Sequence, residues 1–379
     1  MSADKFIEEK YGLRDNPFLD QIAKEAWLTT WVNRQEQLAK WQNVISNLKK
    51  PRKNYIVLII GDYGEGKTQS LFKVVSEAKQ NLEIYPTFFT FKGEQKVKAP
   101  GLEFMFRIFK SIDFKKLAKD HGKELEAAIE AIPGDLDEVK TILRKCCFAE
   151  PDLQNKALYF LKGEINPNKT DLKQMGIIRK IDDIDIAKEY LAGILKVLKG
   201  LGFQTLLLAV DEVEYLFSLV PKPQQAIYVA LLRGLYDFPV GMMKDTGEIA
   251  RVAIFLAVSS DGYRGLTEME KSEHAIGGPT RPLFDRIDVQ TNLGVLTKED
   301  AKELITKRLH YDRVAGRYTH QPLIPFDQTF IVFIWEITKG NPRDIIDKCS
   351  HVLDAGIEMG ISQLNRSTAE KLLRDRREL

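Results

Sequence analysis

Four short runs of the chain are almost continuously apolar and rich in β-branched or aromatic residues: Tyr55–Ile60, Ile84–Phe91, Thr205–Val210 and Val252–Val258. Runs of that length and composition predict strands covered on both faces, as in a parallel sheet. A fifth run, Ile287–Leu293, alternates and is the weakest. Between the runs the apolar period becomes helical, over Thr68–Ala78 after the first strand, Ile186–Leu198 before the third and Gln224–Leu235 after it. Such alternation predicts an α/β fold, a parallel sheet with right-handed crossovers and helices on both faces.

Two stretches break the rhythm. From Gly101 to about Gly176 the pattern is helical and punctuated by Pro133-Gly134, Pro151 and Pro167. That is too long for one crossover and reads as a helical insertion between the second and third strands. Beyond Leu296 no strand pattern returns. Thr297, with Asp300 three residues on, makes an approximate capping box for a helix in LTKEDAKELITKRL. Further helices are expected over Phe326–Thr338, Arg343–Gly356 and Ser367–Glu378. The expected division is an N-terminal segment (1–53), an α/β domain (54–295) carrying the insertion at about 101–176, and a small all-helical domain (296–379).

Composition narrows the classes. With 379 residues the chain can bury a sizeable core in more than one domain. Its 56 basic and 54 acidic residues leave a net charge of only +2, without the basic excess of a non-specific nucleic-acid binder. Local basic groups remain, Lys49, Lys50, Arg52 and Lys53 before the first strand and Arg374, Arg376 and Arg377 near the C-terminus. Cys146, Cys147 and Cys349 form no CxxC or zinc pattern and are expected as buried thiols in a reducing compartment. The first residues lack a signal-peptide apolar region, and no run approaches the ~20 residues of a membrane span. A cytoplasmic protein without a membrane partner is expected.

The chemistry begins in IVLIIGDYGEGKTQSL. Gly61, four residues, then Gly66, Lys67 and Thr68 satisfy G-x-x-x-x-G-K-[ST], between an expected strand and an expected helix as the pattern requires. Asp62, Tyr63, Gly64 and Glu65 fill the loop and Gln69 follows it. Backbone N–H groups in such a loop can converge on an anion, helped by the helix N-terminus. Lys67 can reach the β and γ phosphates of ATP, and Thr68 can offer its hydroxyl to Mg2+. In TLLLAVDEVEYL an apolar strand ends in Asp211 and Glu212, at the edge where open parallel sheets bind ligands. Asp211 would hold magnesium and Glu212 would polarise the attacking water; as a bland alternative, the pair caps the next helix. Ser259, Ser260 and Asp261 end the fourth strand, and Arg281, Arg286 and Arg343 lie further on. Apart from the nucleotide residues, no carboxylate/His cluster suggests a metal.

The ordered set Gly61–Thr68, Asp211-Glu212, Ser260, Arg286 and Gly340-Asn341-Pro342-Arg343 resembles the AAA+ ATPases, and within them the ORC/Cdc6 initiator branch. The resemblance implies that Ser260, with Ser259 adjacent, is the strand-four sensor, although asparagine is usual there. It implies that Arg343 reaches the γ phosphate from the helical lid, and that Arg286, or second Arg281, acts on a neighbour's nucleotide in a homo-oligomer. "YGLRDNPF" and "WVNRQEQLAKW" resemble the adenine-contacting segment, which places Val32, Asn33 and Arg34 there. Leu161–Glu164 ("LKGE") and Met175–Ile178 ("MGII") are similar to stretches in ORC-like ATP-binding proteins found with BREX phage-defence systems and their archaeal relatives. Initiators continue into a winged helix, whereas this chain ends soon after its lid, so autonomous origin recognition is not expected. Two functions follow. One is a self-assembling ATPase that remodels or marks a DNA or nucleoprotein complex in replication, mobile-element or phage-defence context. The other is a slow nucleotide switch, transposition-regulator-like, that docks a protein partner on the helical insertion.

Overall fold

The computed structural model describes residues 3–19, 23–50, 53–91, 100–214, 222–238, 248–273, 280–318 and 320–379. Along the chain come α1 (Gln35–Asn47), β1 (Tyr55–Ile60), α2 (Lys67–Lys79) and β2 (Ile84–Thr90). The insertion follows as α3 (Pro100–Lys110), α4 (Phe114–Glu130), α5 (Asp137–Phe148), α6 (Pro151–Leu161) and α7 (Lys169–Met175). Then come α8 (Ile184–Gly200), β3 (Thr205–Asp211), α9 (Lys222–Asp237), β4 (Arg251–Val258), α10 (Ser260–Glu273), α11 (Thr280–Phe284) and β5 (Ile287–Asn292). The last four are α12 (Lys298–Tyr311), α13 (Gln328–Thr338), α14 (Pro342–Glu358) and α15 (Arg366–Asp375).

These elements form two compact units, Leu38–Ile60 with Val74–Thr291, and Met1–Gln37 with Gly61–Lys73 and Asn292–Leu379. The first holds a five-stranded parallel sheet in the order β2-β3-β4-β1-β5. Ile60 pairs with Val258 and Val210 with Leu256, so β1, β3 and β4 end along one carboxyl edge. Strand β3 is buried throughout and β4 almost so, which is why both read as unbroken apolar runs. β5 is an edge strand with only Thr291 buried, hence its weak alternating signal. β2 is the other edge, where Pro86 removes no bond that an inner strand would need.

The insertion packs into the same core as the sheet, through Phe104, Ile129, Ile142 and Leu161 among others. Its two sequence signatures are helix stops. At the end of α6 the N–H of Gly163 bonds Phe160 O and that of Glu164 bonds Tyr159 O, the paired bonds of a Schellman motif. Gly163 has φ 68°, and a Cβ there would stand 2.6 Å from Phe106 Cγ. Gly176, also at φ 68°, ends α7, with Ile177 N–H bonding Leu172 O.

The second unit has its own core, in which Phe6, Ile7, Tyr11, Leu13 and Phe18 lie with side chains from α12 to α15. The N-terminal residues therefore fold with the helical unit, because their apolar positions have a core only there. The capping box expected at Thr297 and Asp300 is present and starts α12. Helix α15 stops at Asp375, short of the expected Glu378. All three cysteines are buried thiols, and burial pushes Cys147 up to about 12. Among the described residues no helix is long and apolar enough to cross a membrane.

Candidate nucleotide site

The glycine-rich loop leaves β1 at Gly61 and enters α2 at Lys67. Gly64 and Gly66 have φ 85° and 87°, values that only glycine adopts without strain. Inside the loop Glu65 is a brace: its side chain is buried and Oε2 accepts from Asp62 N–H at 2.8 Å, while Glu65 N–H bonds Asp62 O at 3.2 Å. The first bond of α2 runs from Ser70 N–H to Gly66 O. The preceding N–H groups are thus the ones a helix end leaves for an anion. Lys67 Nζ lies over the loop, donating to Gly61 O at 3.0 Å and Asp62 O at 3.2 Å. Thr68 is half-buried in the first turn of α2, and Gln69 Nε2 donates to Lys24 O at 3.2 Å.

The segment expected to contact adenine does something else with two of its side chains. Arg34 is 5% exposed, and its guanidinium donates to Leu293 O, to Glu65 O at 2.7 Å and to Gly294 O at 3.0 Å. Burial lowers its pKa to about 10, against the pull of Glu65 and Asp300, so it stays charged at neutral pH. Asn33 donates to Asp300 at 2.5 Å. Both residues have positive φ, 54° and 68°. Val32 beside them is buried.

Gly340-Asn341-Pro342-Arg343 starts α14 for local reasons. Gly340 takes φ 77°, Asn341 caps the helix by accepting from Arg343 N–H and Asp344 N–H, and Pro342 opens it with its fixed φ. Arg343 is held over the Tyr63 ring, 4.5 Å from its centre, in the same unit as the loop. Tyr63 is itself 74% exposed.

The sheet unit carries the carboxylates. Asp211 closes β3 and is 4% exposed; its Oδ1 accepts from Glu212 N–H at 3.0 Å and its carbonyl from Phe91 N–H at 2.8 Å. Glu212 stands in the left-handed region at φ 57°, where a residue with a Cβ is uncommon. At the end of β4, Ser259 Oγ accepts from Gly262 N–H at 3.0 Å, a cap, and Ser260 is the first residue of α10. The two serines thus differ: Ser259 serves the helix, and Ser260 is the half-buried hydroxyl beside it.

Arg286 is paired within its own unit. It forms a bidentate pair with Asp237, both contacts 2.9 Å, and donates to Pro282 O at 2.5 Å. The pair ties the residues after α11 to the end of α9. Arg281, the second choice, is exposed on α11. The basic candidates fare similarly: Lys53 pairs with Asp288, Arg374 with Glu370 at 2.6 Å and Arg376 with Glu358 at 2.8 Å. Arg52 lies outside the described residues. Asp347, His351 and Glu378 come together, which the sequence does not reveal, but Lys348 Nζ at 2.9 Å from Glu378 takes a cation's place. Sequence reasoning also missed the brace at Glu65 and the roles of Arg34 and Asn341; only Asn341, an Asn before Pro at a helix start, carried a local signal.

A family model described as BREX system ATP-binding protein BrxC/D matches residues 115–309, just over half of the chain. The match runs from α4 to α12 and takes in Asp211, Glu212 and Ser260, but not the glycine-rich loop. No curated protein matches. Among solved structures the chain is similar to Drosophila ORC bound to DNA, at 11% identity and TM-score 0.47, covering 94% of this chain and 67% of that one. It is similar to the Aeropyrum pernix ORC1 protein in complex with DNA, at 10% and 0.47, covering 94% and 70%. The Thermotoga maritima RuvB Holliday junction branch migration motor matches at 13% and 0.39, covering 91% and 70%.

Proposed function

The chain belongs to the BREX system ATP-binding protein BrxC/D family, and from that premise we propose that it binds ATP at the Gly61–Thr68 loop and hydrolyses it with Asp211 and Glu212. The observation that carries hydrolysis is the backbone of Glu212. A left-handed glutamate costs about 1 kcal/mol or more and persists where the surroundings force it, often at functional sites. Here it follows a buried aspartate at the carboxyl end of a fully buried inner strand. Glu212 takes the role of general base toward water, Lys67 and the loop N–H groups bind phosphate, and Arg343 approaches from α14. Ser260 is the polar group on the sheet side. Thr68 and Asp211 offer the hard oxygen donors that magnesium accepts. Magnesium held there would supply positive charge to offset that of the phosphates.

Glu212→Gln is expected to bind ATP within about threefold of wild type while hydrolysis falls by about 100-fold or more. Equal turnover in the two proteins rejects the assignment. Assembly is read from the mass with and without ATP, and nucleic-acid contact from gel shifts across a salt series. For a neighbour's site Arg286 is the first candidate and Arg281 the second; Arg286→Ala or Arg281→Ala, whichever serves, lowers turnover only in an assembled protein.

The pairing of Arg286 with Asp237 also favours a second reading, a slow switch that recruits a protein through the helical insertion. Its signature is partner binding in one nucleotide state with negligible turnover in wild type.

A further inference from the structure

We propose that Asn341 is a positioning residue that latches the phosphate loop to α14, so that movement of the loop on nucleotide binding is carried into that helix. The inference rests on the reading of the loop as the nucleotide site. The two branches of the Asn341 amide do different work. Its Oδ1 accepts from Arg343 N–H at 3.0 Å and Asp344 N–H at 3.4 Å, which caps the helix. Its Nδ2 donates to Tyr63 O at 2.8 Å. Asp and Ser cap helices as well as Asn does, so the cap alone does not require an amide. An amide carries its acceptor and its neutral donor on two separate atoms, so one can face the helix and the other the loop; a serine hydroxyl has both on a single atom that lies closer to the backbone.

The loop meets this contact with a glycine. A Cβ on Gly64 would collide with the Asn341 side chain and stand 2.9 Å from Arg343 Cβ. Beside it, the Arg343 guanidinium covers the Tyr63 ring. The helix start is anchored behind: Gly340 O accepts from Leu296 N–H at 2.8 Å, and Leu296 O accepts from Trp335 Nε1 at 2.9 Å. Two residues along the loop, Glu65 O is held by Arg34, whose other bonds go to Leu293 O and Gly294 O. The loop is thus gripped through its carbonyls at Tyr63 and Glu65, and both grips lead to residues 293–296. A change in the loop between those points moves Asn341 or breaks its bond.

The test compares wild type, Asn341→Asp and Asn341→Ser by hydrogen–deuterium exchange over residues 342–358, without nucleotide and with ADP or ATP. Nucleotide affinity and the urea midpoint are measured alongside. Both variants keep a capping acceptor; the ionised Asp has no donor, and the single Ser hydroxyl, one bond shorter and occupied at the helix N–H groups, does not span to Tyr63 O; Asp adds a charge and Ser does not. Nucleotide is expected to slow exchange in α14 of wild type. In both variants that slowing shrinks by about threefold or more, as loss of one net hydrogen bond implies, with the urea midpoint lowered by no more than that one bond accounts for. Wild-type coupling in Asn341→Ser overturns the latch, whatever Asn341→Asp does, because the effect would then be one of charge. Unchanged α14 exchange in wild type that does bind nucleotide overturns it too. A wild type that binds no nucleotide fails earlier, and then the reading of the loop fails with it.

Discussion

The glycine-rich loop and the helical insertion both place glycines at positive φ, and they put them to opposite uses. In the insertion Gly163 and Gly176 stop helices, and the N–H groups at and after them bond back to helix carbonyls. In the loop, side-chain donors from Arg34, Asn341 and Lys67 hold the carbonyls of Gly61, Asp62, Tyr63 and Glu65. The first N–H groups of the helix that follows have no partner within the helix. One backbone preference therefore yields a closed end in one region and a receptive surface in the other. The difference lies in the partners: helix carbonyls in the insertion, and side chains that hold the carbonyls in the loop, where Asp62 N–H and Glu65 N–H are bonded as well.

That contrast can be broken in order of effect. Lys67→Ala should weaken ATP binding on the order of 100-fold, since a charge-assisted phosphate contact is lost, and leave thermal stability near wild type; titration calorimetry with a melting curve checks both. Gly163→Ala should do the reverse. Strain at φ 68° plus collision with Phe106 costs about 2–3 kcal/mol in urea unfolding, with ATP affinity unchanged. Gly64→Ala and Gly66→Ala sharpen the comparison within the loop. Both sit at similar φ, but only Gly64 has close neighbours, so Gly66→Ala should cost about 1 kcal/mol and Gly64→Ala measurably more.

The smallest effect lies in the insertion. Burial pushes Glu138 up, but the N–H of Ile178 and the guanidinium and N–H of Arg179 outweigh it and hold Glu138 below its ordinary 4.5. A carboxylate lowered on folding adds stability above 4.5 that is lost as pH falls through the folded value. The partners are partly exposed, so the loss is under about 1 kcal/mol. Urea midpoints at pH 7 and pH 4 should converge slightly in Glu138→Gln relative to wild type.

Much of this was readable beforehand. The inner strands announced themselves because a strand covered on both faces must be apolar throughout, and Ile287–Asn292 was faint because an edge strand need not be. Thr297 and Asp300 were legible as a cap because the bonds span three residues. The pair of Arg286 with Asp237 was not legible, because its partner is 49 residues away on another helix.

The amino-acid sequence by itself determined the glycine-rich loop between strand and helix, the capping box at Thr297 and Asp300 and the paired carboxylates at the end of an apolar strand. Each depends on residue types within a few positions, where chain geometry leaves little choice. Only the tertiary structure decided that Arg34 buttresses the loop, that Arg286 is held by its own unit and that Asn341 grips Tyr63. Arg34 finds Leu293 across 259 residues and Asn341 finds Tyr63 across 278. A side-chain donor can meet any carbonyl that packing brings within about 3 Å. Which carbonyl that is belongs to the fold rather than to any local pattern.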